Sequence, residues 1–130
     1  MNLTLEQLIK ITFQGGTING LEQHVVDAYN APFPDDSYKE AARQFPMLVP
    51  VTPDDPSSAN NRKAWEELKK WDKPFLCVFS EQDQVFRGVD KAFTKIVPGC
   101  KDQPHKTLQG GHFIQEDSPE ECVQAILTVI

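Results

Sequence analysis

Apolar residues recur along this chain at helical spacing in some stretches and as an unbroken run in another, and the change predicts its layout. Over residues 4–10, Leu5, Leu8 and Ile9 share one helical face, and Thr4 and Gln7 have the spacing of an N-cap and its partner. Gly15-Gly16 and Asn19-Gly20 then interrupt the helical pattern. Over residues 21–30, Leu21, Val25 and Ala28 repeat at helical spacing, which predicts a second helix closed by Asn30. Pro32 and Pro34 keep the next stretch extended, since each lacks an amide donor and biases the residue before it away from helix. Ser37-Tyr38-Lys39-Glu40 has capping-box spacing and predicts a helix from residue 37 to 45, where Pro46 follows.

Residues 46–61 are rich in Pro, Asp, Ser and Asn and read as a connector. They predict two units, 1–57 and 58–130. The second unit opens with a helix over 58–71, Trp65 and Leu68 inward and Arg62, Lys63, Glu66 and Glu67 outward. Residues 74–80, Pro-Phe-Leu-Cys-Val-Phe-Ser, form a continuous apolar run of the kind found in parallel strands buried on both faces. A polar loop containing Glu81 and Asp83 follows, then a helix over 87–97 with Val89, Ala92, Phe93 and Ile96 inward, stopped by Pro98-Gly99. A shorter strand is predicted at 104–108, then a Gly110-Gly111-His112 turn, then a helix over 118–130 carrying Cys122, Ala125, Ile126 and Val129 inward. Strands alternating with helices predict an α/β fold with parallel strands and a right-handed crossover, and such sheets bind ligands beyond the carboxyl ends of their strands.

Composition narrows the picture. The chain has 130 residues, enough for one modest domain, with 39% hydrophobic and 25% charged residues, as folded proteins have. A net charge of −6 argues against a nucleic-acid or anionic-membrane partner. The acidity is concentrated in residues 1–60, where Lys10, Lys39 and Arg43 face eight acids. No apolar run approaches the roughly 20 residues that span a bilayer, and the first residues lack the pattern of a signal peptide. Three cysteines without metal-type spacing fit a reducing compartment, so a cytoplasmic location is expected, with Cys77 and Cys122 as small core residues. His24, His105 and His112 are scattered, and no phosphate-binding glycine loop is present, so neither a metal nor a phosphate cofactor is expected.

The candidate chemistry lies after the two strands. Asp83 follows the first and His112 the second, which in a parallel sheet brings them to one edge. A buried carboxylate on one imidazole nitrogen fixes the tautomer and leaves the other nitrogen free to take a proton. Asp83 could equally cap the following helix, and Glu81 competes with it for the acid role.

Longer strings then add a resemblance. Ala28-Tyr29-Asn30-Ala31-Pro32-Phe33-Pro34-Asp35-Asp36-Ser37-Tyr38-Lys39, Arg43-Gln44-Phe45-Pro46-Met47-Leu48-Val49-Pro50, Trp71-Asp72-Lys73-Pro74-Phe75 and Gly110-Gly111-His112-Phe113-Ile114-Gln115-Glu116-Asp117 together resemble the C-terminal portion of haloalkane dehalogenases, a family of α/β-hydrolases. The resemblance runs from about residue 10 to the end. It implies a partial α/β-hydrolase fold: the end of the helical cap over 1–57, then the last two parallel strands with their flanking helices. It implies hydrolysis of carbon–halogen bonds through an alkyl-enzyme ester, with His112 as general base and Asp83 orienting it. Phe45, Pro46, Val49, Val85, Phe86 and Phe113 would line the substrate pocket, Phe45 and Val49 having plain packing as the other reading. No cofactor is implied, and the partner would be a small apolar halogenated substrate. Trp65 and Trp71 match no halide-binding position and read as packing residues. No Gly-x-Asp-x-Gly or Gly-x-Ser-x-Gly occurs, so the nucleophile expected of the family is not in this stretch. The chain alone is then expected to be inactive and to self-associate through the exposed edge of the strand over 74–80. An epoxide or ester hydrolase of the same fold, or a non-catalytic interaction module, are the alternatives.

Overall fold

The structure, a computed structural model, describes residues 15–129. The helix expected over 4–10 lies outside them. In order come α1 (Gln23–Asn30), a 3-10 turn (Asp36–Lys39), α2 (Glu40–Gln44), a second 3-10 turn (Phe45–Leu48), α3 (Ser58–Leu68), β1 (Val78–Ser80), α4 (Val89–Ile96), a third 3-10 turn (Pro98–Cys100), β2 (Lys106–Leu108), α5 (Ile114–Asp117) and α6 (Pro119–Ile126). β1 and β2 pair in parallel, with Val78 opposite Lys106 and Ser80 opposite Leu108. Helices plus a small parallel sheet make the fold α/β, as the alternation from residue 58 implied.

The strands are shorter than the apolar runs because the flanking backbone bonds elsewhere. Phe75 N–H donates to the Gly99 carbonyl at 3.0 Å, and Cys77 N–H donates to His105 Nδ1 at 3.0 Å. The ladder proper begins where Lys106 N–H donates to Cys77 O. It continues past β1 into the loops, through Glu81 N–H to Leu108 O at 2.9 Å and Gln82 N–H to Gly110 O at 3.1 Å. The expectation that 74–80 is buried on both faces fails among the described residues: Cys77 is buried, but Val78, Phe79 and Ser80 are half-exposed, since a two-stranded sheet offers little to cover them. Gly99 is needed for close approach, because a Cβ there would stand 1.9 Å from the Lys73 carbonyl oxygen.

Among the described residues two apolar clusters hold the chain. Cys77, Val97 and Cys100 are buried together, with Leu68, Phe75, Phe79 and Phe93 packed around them. Trp65 stacks on Phe93 at 5.2 Å between ring centres, which seats α3 on α4. The smaller cluster is Val26 with Leu21, Tyr29 and Phe33. The inward face of α1 therefore differs from the one expected: Val26 is its buried residue, and Ala28 is exposed. The helix expected from Ser37 is also different. Asp35 accepts from Ser37 N–H at 2.8 Å and from its hydroxyl at 2.6 Å, so Ser37 is spent inside a 3-10 turn and the α-helix begins only at Glu40.

The connector is more ordered than its composition implies. Asp55 accepts from Val51 N–H at 2.9 Å and from the Thr52 hydroxyl at 2.8 Å, while Ser58 Oγ donates to Thr52 O at 2.7 Å. The bonds to Asp55 hold its carboxyl below the usual range, those from Thr52 foremost. The helix expected over 118–130 is α6, which ends at Ile126, and the single turn of α5 precedes it in a stretch where no helix was expected. On α6 Ala125 is buried and Cys122 half-buried, but Ile126 at its end and Val129 beyond it, both expected inward, are 57% and 41% exposed. No described helix is long and apolar enough to cross a membrane.

Candidate active site

The loops that leave β1 and β2 at their carboxyl ends meet, held together by the Gln82–Gly110 bond that extends the ladder. Asp83 stands in the first loop and His112 in the second. Asp83 is 6% exposed, and its Oδ1 accepts from Val85 N–H at 2.7 Å and Phe86 N–H at 3.1 Å, a turn closed by its own side chain. The same carboxylate lies 3.2 Å and 3.3 Å from His112 Nδ1 through its two oxygens. Asp83 therefore shapes the turn and meets the imidazole, but it does not cap the following helix, whose N-cap is Gly88 with no side-chain bond. Glu81 is exposed, its backbone paired with Leu108, and it does not compete.

Burial by itself would raise the Asp83 carboxyl, but the Phe86 and Val85 amides and His112 outweigh it, and the group lies below its ordinary value. A carboxylate can only accept, so His112 Nδ1 carries the hydrogen. In the neutral ring Nε2 then keeps its lone pair, and among the described residues no hydrogen bond occupies it. The ring sits between Phe86, tilted at 5.3 Å, and Phe113, edge-on at 4.9 Å.

The glycines before His112 serve contact. A Cβ on Gly111 would lie 2.3 Å from the Gly16 carbonyl oxygen, which itself accepts from Phe113 N–H at 2.9 Å. Ser80 Oγ donates to the Gly111 carbonyl, and Asp117 Oδ2 accepts from Gly111 N–H at 2.8 Å. Sequence reasoning missed Ser80, Gly16 and Asp117 in this role; the paired glycines at 15–16 and 110–111 were the only hint that two backbones touch.

The other expected pocket residues fall in two places. Phe86 and Phe113 flank the imidazole, and Val85, 65% exposed, gives its amide to Asp83. Phe45 and Val49 are 76% and 59% exposed, in and just after a turn that packs against its neighbour α2. The structure brings neither of them to His112, and the Pro46 side chain is not among those described. His105 takes no part: its Nδ1 accepts from Cys77 N–H and its Nε2 donates to Cys100 O at 2.8 Å. Among the described residues no group of His, Cys, Asp and Glu is placed to hold a metal ion.

No family model matches the chain. It is 57% identical over 92% of its length to a haloalkane dehalogenase of Psychrobacter cryohalolentis, and 46% identical over 87% to a haloalkane dehalogenase of Mycobacterium marinum. A haloalkane dehalogenase 1 of Mycobacterium bovis is 45% identical over 87% of the chain. The chain spans 40% of the length of the first of these relatives and 38% of the other two.

Proposed function

By sequence this chain is a relative of the haloalkane dehalogenases, and we propose that it supplies the base–acid part of a hydrolytic dehalogenation. In that reaction a carboxylate attacks the carbon bearing the halogen, the carbon–halogen bond breaks, and an alkyl ester remains on the enzyme. His112 Nε2 then takes a proton from water, and the resulting hydroxide adds to the ester carbonyl. The alcohol leaves, the carboxylate is restored, and the imidazolium gives its proton to solvent as the halide departs. Asp83 keeps Nδ1 protonated and offsets the imidazolium charge as it forms. The observation that carries this reading is the 3.2 Å contact between a buried, depressed carboxylate and Nδ1 of an imidazole flanked by two phenyl rings.

Val85, Phe86 and Phe113 are proposed to form the pocket beside the base. Phe45, Pro46 and Val49, from the end of the cap over 1–57, would close over it against the core over 58–130. Because the 130 residues hold no Gly-x-Asp-x-Gly turn, the attacking carboxylate is assigned to the part of the relatives this chain does not span. By itself the chain should release no halide. Its exposed Val123, Ile126 and Leu127, and a sheet that among the described residues consists of β1 and β2, favour self-association in place of that missing packing. The three free cysteines agree with a cytoplasmic setting.

The test joins this chain to the preceding part of the Psychrobacter relative and assays halide release from 1-haloalkanes, beside the chain alone. The joined protein should turn over and the single chain should not, and His112→Ala should lower turnover by orders of magnitude. A joined protein that hydrolyses epoxides or esters but no haloalkane would move the assignment to those substrates. Undiminished release after His112→Ala would remove the base from the mechanism.

A further inference from the structure

We propose that Asp117 is a positioning residue for His112, an inference that rests on the base–acid reading above. Asp117 ends α5, yet its carboxylate points back to the loop it came from. Oδ2 accepts from Gly111 N–H at 2.8 Å, and the two oxygens accept from Ile18 N–H at 3.0 Å and 3.2 Å. The Gly111 carbonyl is held from the opposite side by Ser80 Oγ of β1. The residue immediately before the imidazole is thus gripped at its N–H by α5 and at its C=O by the sheet.

The segment at 16–18 completes the clamp. Gly16 O accepts from Phe113 N–H at 2.9 Å, on the far side of His112 from Gly111, and the bare α-carbon of Gly111 leaves room for that carbonyl. Asp117 ties Ile18 to the same point, so one carboxylate joins three pieces of backbone around the histidine. The Nδ1–Asp83 contact requires the His112 backbone to stay where the ring reaches across to the β1 loop. The shorter bond to Ile18 uses Oδ1 and the bond to Gly111 uses Oδ2, so each oxygen faces one of the two segments. An asparagine offers one oxygen, and its NH2 would face an N–H.

The ring tautomer reads this directly, and a role in stability alone would not change it. In the 130-residue chain labelled with 15N at histidine, at a pH above the ordinary histidine range, His112 should be the Nδ1–H tautomer. His105 should be the Nε2–H tautomer, and it serves as the folding control within the same spectrum. Asp117→Ala should replace the single His112 tautomer with a mixture while His105 stays as it was. Asp117→Asn should give a smaller change in the same direction. His112 unchanged in both variants, with His105 intact, would overturn the proposal. So would loss of both tautomers in both variants, since Asp117 would then be a general support of the fold. A wild-type His112 found as Nε2–H would instead sink the base–acid reading, whatever the variants do.

Discussion

His105 and His112 bracket β2, and their surroundings use the same side chain in opposite ways. At the entry to the strand, His105 has both ring nitrogens on main chain: it accepts from the Cys77 amide and donates to the Cys100 carbonyl. It replaces a rung of the ladder and joins β1 to the turn after α4. Past the exit, His112 meets a carboxylate through Nδ1 and is flanked by the rings of Phe86 and Phe113. The first ring has its hydrogen-bonding capacity filled and is a strut. The second is held at one nitrogen and can exchange a proton at the other. A histidine in a loop says nothing about chemistry until its partners are known, and here they separate the two cases.

That contrast can be broken most sharply by alanine. In the joined protein, His112→Ala should lower steady-state halide release by about 10²–10⁴-fold with the fold intact. His105→Ala should leave release per folded molecule near the parent's. It should instead lower the urea midpoint by the equivalent of about 1–3 kcal/mol, because the buried Cys77 amide loses its acceptor. The reverse pattern would exchange the two roles.

Asp83→Asn comes next. The amide oxygen would stay with the Val85 and Phe86 amides, leaving an NH2 toward Nδ1 and forcing the other tautomer. Turnover should fall by about 10²-fold or more, with a modest fall in melting temperature from loss of the carboxylate's charge.

Gly111→Ala probes the backbone contact beneath the base. Its Cβ would overlap the Gly16 carbonyl oxygen, so stability should fall by about 1–3 kcal/mol in urea, with turnover falling as the loop shifts.

Acid provides a gentler test. The Asp83 carboxyl is lower in the folded chain than its ordinary value, so the unfolded chain binds the proton more readily. The stability from Asp83 is then fully present above the unfolded value of about 3.9 and is lost as pH falls through the lower folded value. Urea midpoints measured down the acid range should drop there, and Asp83→Asn should flatten that part of the curve.

The smallest change is expected from Tyr29→Phe. Tyr29 donates to Glu116 and so ties α1 to α5, while burial first and Glu116 second raise its phenol above the usual value. Losing the hydroxyl's half-buried bonding to Glu116 should cost about 0.5–1.5 kcal/mol and leave the His112 tautomer unchanged.

Much of the second unit was readable from its residues. The apolar run before Ser80, the helical repeat at Val89, Phe93 and Ile96, and the Gly-Gly-His turn placed the elements in order, with Asp83 and His112 on the same side. Periodicity reports which side chains could face inward together, though not whether anything lies there to cover them. Ile126 and Val129 have the right spacing and are exposed, and 74–80 has the composition of a buried strand with only Cys77 buried. At Ser37 a short-range rival, the Asp35 carboxylate, overrode a valid cap pattern.

Residue order by itself determined where strands and helices start to alternate, and which acid and which histidine come after the strands, because local spacing and the placement of glycine and proline dictate both. Only the tertiary structure decided which nitrogen of each histidine is occupied. The deciding partners are distant in the chain, 29 residues for Asp83 and His112 and 28 for Cys77 and His105. A ring's protonation pattern is set by the groups packed against it rather than by its neighbours in sequence.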